Sequence, residues 1–449
     1  MIRILFVFGT RPEAVKLCPV IEQMRAEPDI FDVRVCVTAQ HREMLDQVLS
    51  SFGVVPHYDL NTMQPGQTLL QSTGKMLAEL EAVLADATPD MVLVQGDTST
   101  TLCGAMAAFY AGIPVAHVEA GLRTGDIRQP FPEEMNRVLV SRLTALHFAA
   151  TKSAAMNLLR EGVAQSSITV TGNSGIDAVL RVQLGLESGK IPVRTWPEIN
   201  FQKKVILVTA HRRESFGPAF DRICTALTTL AQREDVQLVY PVHPNPNISG
   251  PAREKLGNNP RIILMEPLDY LSFVDLMRRS YLILTDSGGV QEEGPSLGKP
   301  ILVMREKTER PEAVEAGTST LVGSDVQRIV NAATELLDDP REYARRACMH
   351  NPYGDGQASE RISAEIKKFF AANKKAEDFS SAFSNFVEKN LCLDGDRLNG
   401  DWLNRDKTSR ATAINELNFA ADLGVEGVIA AKSDVQARLD LGAALPHND

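Results

Sequence analysis

Cysteine is scarce in this sequence, and long apolar runs are missing. The 449 residues include six cysteines, none of them in a C-x-x-C pair. That spacing argues against a disulfide framework and against the common zinc sites, so we expect reduced core cysteines and no bound metal. No run approaches the 18 apolar residues that a membrane helix requires, so we expect no transmembrane segment and no membrane partner.

Two phosphate-binding signatures are also absent, and positive charge is in short supply. The sequence contains neither G-x-x-x-x-G-K-[ST] nor G-x-G-x-x-G, which argues against a P-loop enzyme and a dinucleotide cofactor. The net charge is −10, and residues 376–449 supply −6 of it, with 13 acidic and 7 basic side chains. Without a basic stripe, the remaining body is not expected to bind nucleic acid.

The N-terminus reads as a strand rather than as a targeting segment. MIRILFVFGTRPEA carries about six apolar residues before a glycine and a charged stretch, too few for the apolar region of a signal peptide. We therefore expect a cytoplasmic protein.

Short apolar runs alternate with longer amphipathic ones along most of the chain, which is typical of βαβ units and a parallel sheet. The alternation pauses between about 184 and 204 and then restarts, which predicts two Rossmann-like, doubly wound α/β domains facing a cleft. The predicted strands are Ile2–Phe8, Val33–Val37, Met91–Gln95, Ile113–Val118, Ala145–Phe148, Ile168–Val170, Val205–Val208, Val236–Tyr240, Ile262–Met265, Tyr281–Leu284 and Pro300–Met304. The predicted divisions are an N-terminal domain over 1–172, a nucleotide-binding domain over 173–355, a closing helix within 356–375 and an appended tail over 376–449.

Loops that follow the predicted strands are rich in polar and charged residues, and such loops bind ligands in doubly wound folds. After Phe8, the stretch GTRPEAVK places Arg11 and Lys16 beside a helix N-terminus, which favours an anion. Surface ion pairs are the alternative explanation for these two cations.

The stretch TDSGGVQEEG is more specific. Ser287, Gly288 and Gly289 form a turn whose backbone amides can hold a diphosphate, and Glu293 on the following helix can accept hydrogen bonds from a ribose diol. A structural Gly-Gly turn is the alternative.

One histidine and several carboxylates occupy comparable positions. His211 directly follows a predicted strand, where it can donate a proton or a hydrogen bond to phosphate. Asp97, Glu119 and Glu133 lie in loops of the first half, and neighbouring carboxylates can divide acid and base duties. Helix N-terminal charge is the alternative explanation for Glu133.

Ten motifs taken together resemble one family. They are FGTRPEAVK, TAQHREMLDQVL, VQGDTSTTL, HVEAGLRTGD, PFPEEMNR, TAHRRESFG, YPVHPNPN, LTDSGGVQEEGPSLGKP, TERPEAVEAGT and NPYGDGQAS. Over residues 1 to about 375 the chain resembles the non-hydrolysing bacterial UDP-N-acetylglucosamine 2-epimerases. The resemblance implies a GT-B fold, a homodimer, and interconversion of UDP-GlcNAc and UDP-ManNAc without a cofactor.

The resemblance also implies roles for individual residues. Glu293 is then the ribose ligand and Phe273 packs on uracil. The implied diphosphate contacts are Arg11, His211, Ser287, Gly288, Gly289 and Arg310. The implied catalytic residues are Lys16, Asp97, Glu119, Glu133 and His211, and the same motifs place Lys16, Arg137 and His243 among the substrate-binding residues.

Some relatives in that family bind a second UDP-GlcNAc as an activator beside the active site. Gln40 and His41 match the segment they use, but Gly66 stands where those relatives carry arginine. Allosteric activation is therefore left open by the sequence.

The implied reaction explains why such residues are needed. The C2 proton of the sugar does not lie next to a carbonyl, so departure of UDP must help to acidify it, giving a 2-acetamidoglucal to which UDP then adds back. Donors are needed at the departing diphosphate, and acid or base groups at C2. The alternatives are a GT-B glycosyltransferase, a hydrolysing epimerase that releases ManNAc, and a non-catalytic sugar-nucleotide sensor.

Overall fold

Apolar strands of the chain assemble into two separate parallel sheets. The computed structural model describes residues 1–38, 42–62, 66–212, 215–391, 393–394 and 397–398, and side chains up to 375 except that of residue 43. It divides into one unit over Met1–Ser363 and a second over Ala364–Asp449. Both sheets belong to the first unit.

The first sheet has seven described strands in the order β3-β2-β1-β4-β5-β6-β7, all paired in parallel. Helices connect consecutive strands, as the βαβ pattern requires. The elements are β1 Ile2–Phe8, α1 Arg11–Arg25, β2 Phe31–Val37, α2 Arg42–Ser51, β3 Tyr58–Asp59, α3 Leu69–Ala87, β4 Met91–Gln95, α4 Ser99–Tyr110, β5 Val115–Ala120, α5 Glu133–Leu143, β6 Leu146–Ala149, α6 Lys152–Arg160, a 3₁₀ turn Gln165–Ser167 and β7 Ile168–Val170.

The second sheet has six described strands in the order β10-β9-β8-β11-β12-β13, again all parallel. Helix α7, Ser174–Glu187, leads into it. The further elements are β8 Lys204–Thr209, α8 Pro218–Leu230, β9 Val236–Pro241, α9 Pro246–Leu256, β10 Ile262–Met265, α10 Tyr270–Arg279, β11 Leu282–Thr285, α11 Gly288–Glu293, a 3₁₀ turn Gly294–Leu297, β12 Ile301–Val303, α12 Pro311–Glu315, β13 Ser319–Leu321, α13 Val326–Asp338 and α14 Pro340–Ala347.

Both faces of each sheet are buried, which explains the nearly continuous apolar runs of the strands. In β8, Ile206 and Val208 join one core cluster, whereas Val205 and Leu207 join another on the opposite face. Successive side chains of a strand point to opposite faces, so a strand covered on both faces, such as β8, carries apolar residues at successive positions.

The predicted fold class is confirmed, and so is each of the eleven predicted strands to within two residues at either end. The sequence missed β3 and β13, which have two and three residues and sit at sheet edges, because so short a run carries little pattern. The helix predicted near 356–374 forms α15, Ala358–Leu391, which runs further because no glycine or proline interrupts that stretch.

The second unit contains most of α15 and a short antiparallel pair, β14 Leu393–Asp394 and β15 Arg397–Leu398. The greater part of the appended tail predicted over 376–449 lies outside the described residues. Among the helices that the structure describes, none is both long enough and apolar enough to cross a bilayer.

The strand order reverses at one point in each sheet. In the first sheet β2 and β4 flank β1, so the chain leaves β1 and β4 toward opposite sides. In the second sheet β8 and β11 are the corresponding neighbours. Ligands of doubly wound folds bind beyond the carboxyl ends of such strands, so the loops after these four strands define where to look for a site.

Candidate active site

The loop after β1 is built for close approach to its neighbours. A Cβ atom on Gly9 would lie 2.1 Å from Oγ1 of Thr38 and 2.7 Å from Oγ1 of Thr100, so only glycine fits there. Helix α1 begins at once with Arg11, whose side chain is exposed and has no ion-pair or hydrogen-bond partner among the described residues. Arg11 is therefore free to meet a ligand.

A buried carboxylate, Glu13, ties this loop to the loop after β4. Glu13 is 1% exposed and accepts hydrogen bonds from the backbone N–H of Gly9 (3.0 Å) and of Thr10 (2.7 Å). Its other oxygen accepts from the hydroxyls of Thr98 (2.7 Å) and Thr101 (3.2 Å). The positions of Arg11 and of the loop that carries Asp97 are thus fixed together.

Lys16 is held by Glu119. Lys16 Nζ lies 2.5 and 2.6 Å from the two carboxylate oxygens of Glu119, and the amide of Gln95 donates to the same carboxylate. Both charged side chains are 16% exposed. Burial opposes each charge, but their mutual attraction outweighs it, raising the pKa of Lys16 and lowering the pKa of Glu119.

The backbone at Glu119 is unusual for a residue with a side chain. Its φ is +63°, in the left-handed region, and the pairing of β5 with β6 shifts register between Val118 and Ala120. A bulge of this kind redirects one side chain, and such strain is typical of functional sites. Here it turns the Glu119 carboxylate toward Lys16 rather than along the sheet.

Asp97 forms a second ionic group beside the first. Arg137 on α5 donates a hydrogen bond to Asp97 and also lies 3.2 Å from Glu134. Burial raises the pKa of Asp97, with the charges of Glu119 and Glu133 acting in the same direction against Arg137. Asp97 therefore holds a proton more readily than an exposed aspartate does.

Glu133 begins helix α5 and lies close enough to Asp97 to act on its charge. Its Oε2 atom is buried and has no hydrogen-bond partner among the described residues. Buried carboxylate oxygens are normally satisfied, so this one is available to a bound molecule.

The turn after β11 supplies the opposite wall. Ser287 precedes helix α11, and its backbone N–H donates to Thr285 Oγ1 at 2.9 Å. A Cβ atom on Gly288 would lie 2.6 Å from Cζ of Arg310, so the missing side chain lets that guanidinium lie over the turn. The turn therefore combines backbone amides with a cation, as a phosphate site requires.

Arg310 is itself oriented by Glu292, an acidic residue whose role the sequence did not reveal. Arg310 Nε donates to Glu292 Oε1 at 2.8 Å, and Asn173 Nδ2 donates to the other oxygen at 2.9 Å. Glu292 is also near enough to raise the pKa of Lys16 from the other domain. The two half-sites therefore meet, within the first unit, at Lys16, Glu119, Glu292 and Arg310.

Glu293, one residue further, is partly exposed and has no hydrogen-bond partner among the described residues. Burial, followed by the charge of Glu292, raises the pKa of Glu293 to about 8, against the opposing charges of Lys16 and Arg11. Beside it lies Tyr270, whose hydroxyl is buried and has no hydrogen-bond partner among the described residues. The Glu293 carboxylate and the Tyr270 hydroxyl are therefore both available to a polar ligand.

The remaining predicted residues fall at the same edge or outside the described residues. His211 follows β8 and stacks on His243 with ring centroids 5.5 Å apart, while Phe273 lies partly buried on α10. Gln40 and His41 lie outside the described residues. Within the described ranges, no group of three His, Cys, Asp or Glu side chains is arranged to hold a metal ion.

Sequence reasoning missed Glu13, Glu292, Tyr270 and Asp286 as parts of this site. Each of them interacts with a residue far away in the chain. Glu13 also forms two local hydrogen bonds, to Gly9 and Thr10. The only signal in the sequence was their position at or just after strand ends.

Comparison with known proteins gives a consistent result. Residues 22–367 match the family model described as UDP-N-acetylglucosamine 2-epimerase. The chain is 55% identical over 370 residues to UDP-N-acetylglucosamine 2-epimerase of Escherichia coli K12, covering 81% of this chain and 98% of that protein. It is 47% identical over 378 residues to the Bacillus subtilis 168 protein of the same name, covering 84% and 98%.

Solved structures agree. The UDP-GlcNAc 2-epimerase of Neisseria meningitidis, bound to UDP-GlcNAc, matches with a TM-score of 0.75 and 47% identity over 82% of this chain and all of that chain. The Methanocaldococcus jannaschii enzyme in complex with UDP-GlcNAc and UDP matches with a TM-score of 0.66 and 34% identity, again over 82% and 100%. The fold is therefore shared with this two-domain GT-B-like group.

Proposed function

Since the chain belongs to the UDP-N-acetylglucosamine 2-epimerase family, we propose that it interconverts UDP-GlcNAc and UDP-ManNAc by inverting C2 of the sugar. The family match favours this isomerase over a glycosyltransferase, a hydrolysing epimerase or a sensor. One observation supports the proposal further. The Ser287–Gly289 turn and Arg310 of one domain lie near the Lys16–Glu119 and Asp97–Arg137 ion pairs of the other.

The chemistry sets two demands on the protein. The C2–H bond is not acidic until the C1–O bond to UDP begins to break, so negative charge must be stabilised on the departing diphosphate. Cationic and amide donors at that position lower the barrier because they act where charge develops. A carboxylate must then take the C2 proton from one face, and an acid must return a proton to the other.

The second domain suits the first demand. Three kinds of donor lie near the carboxyl ends of the neighbouring strands β8 and β11: the amides after Ser287, the guanidinium of Arg310 and the imidazole of His211. Arg11, in the facing domain, has no partner among the described residues. Together they would hold the diphosphate. Glu293 would accept the ribose hydroxyls, and Phe273 would pack against uracil.

The first domain suits the second demand. Asp97 has a raised pKa and Glu119 a lowered one, so the two carboxylates of one site differ in how readily they hold a proton. Groups separated in this way can serve as acid and base. Glu133 adds a carboxylate with an unpartnered buried oxygen. Arg137 orients Asp97, and His243 supports the His211 ring.

Incubation of the purified protein with UDP-GlcNAc in deuterated water tests the reaction. We expect deuterium at C2 of the recovered UDP-ManNAc, detected by mass spectrometry and by loss of the C2 proton signal in NMR. Product without solvent hydrogen contradicts elimination and re-addition. Accumulation of free ManNAc and UDP instead points to the hydrolysing reaction, and no conversion at all points to a sensor.

Glu293 gives the proposal a pH signature. Its pKa is raised to about 8, mainly by burial, so below that pH the carboxyl is protonated in the free protein. Two ribose hydroxyls donate best to the ionised form, so binding releases a proton. UDP affinity should then rise by up to about tenfold per pH unit as the pH approaches 8 and level off above it.

Calorimetric titration with UDP between about pH 7 and pH 9, in buffers of different ionisation enthalpy, measures both the affinity and the released proton. The matched control is Glu293→Gln, which has nearly the same shape and should lose both the slope and the proton release. Equal affinity of the unaltered protein at both ends of this range would contradict the assignment.

We also propose a second UDP-GlcNAc site that uses Gln40 and His41, which lie outside the described residues. Support comes from a cavity that begins at Thr38, two residues earlier in the chain, and is lined by Thr38, Gln67, Leu69, Ser72, Met76, Ser99 and Thr100. Two residues of the cavity wall, Thr38 and Thr100, also lie next to Gly9 in the loop after β1. A molecule bound in the cavity can therefore act directly on the loop that carries Arg11. The test is the rate of conversion of UDP-ManNAc to UDP-GlcNAc, measured with and without added UDP-GlcNAc. A sigmoidal dependence of this rate on added UDP-GlcNAc would support activation. Hyperbolic kinetics without added UDP-GlcNAc would oppose it.

A homodimer completes the proposal. Phe109 and Tyr110 are exposed at the end of α4, and Leu139 is exposed on the neighbouring helix α5. Large exposed apolar side chains on adjacent helices are typical of association surfaces. Light scattering after size exclusion should give twice the chain mass, and a monomeric mass at micromolar concentration would contradict a homodimer.

A further inference from the structure

Asp286, directly after β11, is a buried carboxylate with one oxygen satisfied and one not. Its side chain is 0% exposed. Oδ2 accepts the backbone N–H groups of His211 and Arg212, both at 2.8 Å, and the Ser215 hydroxyl at 3.3 Å. Oδ1 has no hydrogen-bond donor among the described residues. An unsatisfied oxygen on a fully buried carboxylate is costly, and it calls for an explanation.

The imidazole of His211 lies near this oxygen, with Nδ1 3.5 Å from Oδ1. The same aspartate already accepts the backbone N–H of His211 through Oδ2, which keeps that residue beside the carboxylate. The ring stacks on His243 with an interplanar angle of 18°. Catalytic hydrogen bonds are often long before substrate binds and shorten in the complex.

We propose that Asp286 is a positioning residue for His211. Its Oδ1 accepts a hydrogen bond from Nδ1–H, which leaves Nε2 on the cleft side of the ring and favours the imidazolium that hydrogen-bonds to the departing diphosphate. This inference rests on the role proposed above for His211. His211 keeps its added proton throughout elimination and re-addition. The ring takes up this proton when the diphosphate binds and releases it when the product leaves.

The charges around the ring explain why an aspartate is needed. Burial lowers the pKa of His211, and Arg212, His243 and Arg11 act in the same direction, whereas Asp286 raises it. Without Asp286, every named neighbour would oppose the imidazolium. A bound diphosphate adds negative charge on the cleft side, so the carboxylate and the ligand together favour protonation.

Asp286→Asn tests the proposal, because the amide oxygen can still accept the backbone N–H groups while the negative charge is lost. We expect kcat to fall by about 10²–10⁴-fold, by analogy with removal of a carboxylate or a donor from other sites. The affinity for UDP should fall by no more than about tenfold, because a shift of one unit in the pKa of the group that takes up a proton on binding is worth about that much. Because activity requires the imidazolium, kcat should decline as pH rises through the pKa of His211 in the complex. In Asp286→Asn this decline should occur about one pH unit lower than in the unaltered protein.

Asp177→Asn is the matched control. Asp177, on α7, is also a buried carboxylate that accepts two backbone N–H groups, but these belong to Ala358 and Ser359 at the start of α15, for which no substrate contact is proposed. It should alter thermal stability without moving the pH profile of kcat. In a His211→Asn background, Asp286→Asn should cause little further loss. An unchanged kcat and pH profile in Asp286→Asn, or full additivity of the two changes, would overturn the proposal.

A measurement on the unaltered protein decides the matter even if Asp286→Asn does not fold. ¹⁵N NMR of the histidine rings, with His211 assigned by its loss in His211→Asn, reports the tautomer. We expect Nδ1–H in the free protein at alkaline pH, and a dominant Nε2–H form with a bare Nδ1 would overturn the proposal. Turnover of UDP-GlcNAc by the same sample separates this result from failure of the proposed function itself.

Discussion

Glu119→Gln is expected to destabilise the protein by about 3 kcal/mol and to reduce kcat by at least about 10³-fold. The change leaves Lys16 buried without its partner, and breaking one half of a buried ion pair typically costs about 3–5 kcal/mol. The lower figure applies because Glu292 also acts on Lys16. The loss of kcat follows from removal of one carboxylate proposed to act at C2.

The two effects can be separated with the double variant Lys16→Met/Glu119→Gln. It contains no unpaired charge at this place, so its Tm should exceed that of the single variant, while its activity should stay lost. Glu266→Gln is the control for a simple ion-pair loss, since Glu266 pairs with Arg253 at 2.7 Å with both side chains largely exposed, and its Tm should barely change. A double variant no more stable than Glu119→Gln would contradict the buried-pair argument.

Asp97→Asn should reduce kcat by about 10²–10⁴-fold while UDP binding stays within a few-fold of the unaltered protein. Asp97 lies in the first domain beside Arg137, whereas the proposed phosphate turn belongs to the second. Burial raises the pKa of Asp97, which fits it to carry a proton during the reaction. The variant should also stop incorporation of deuterium at C2, measured with enzyme concentrations high enough to detect a single turnover.

Asp90→Asn is the matched control, because Asp90 precedes strand β4 and Asp97 follows it. Asp90 pairs with Arg3 at the end of the strand away from the cleft, so its loss should leave kcat and deuterium incorporation unchanged. If Asp97→Asn weakens UDP binding as much as it lowers kcat/KM, the assignment of Asp97 to chemistry at C2 is wrong.

Much of the site could be predicted because parallel sheets bring the carboxyl ends of their strands to one edge. Once Phe8, Gln95, Val208 and Leu284 are recognised as strand ends, the polar residues after them are expected to share a cleft. Arg11, Asp97, His211 and Ser287 were found in this way. The resemblance to a known family then added roles for Phe273 and Arg310, which position alone does not indicate.

Pairing was harder to predict. The sequence presented Arg11 and Lys16 as two cations beside one helix N-terminus, yet Arg11 is free in the described structure whereas Lys16 is bound by Glu119, 103 residues later. Whether Lys16 also contacts phosphate stays a prediction. Glu292 and Glu293 are adjacent in the chain, but one is satisfied by Arg310 and Asn173 and the other is left unpartnered. Nothing in the local pattern separates them.

The sequence by itself determined the two parallel sheets, the order of their strand-end loops, and the residue types available at the cleft, because periodicity and turn chemistry are local properties of the chain. Only the tertiary structure decided which charges neutralise each other and which stay available. Burial shifts a pKa according to the partners within a few ångströms, and those partners come from distant parts of the chain. That is why the raised pKa values of Asp97 and Glu293 and the unsatisfied oxygen of Asp286 emerged only from the folded protein.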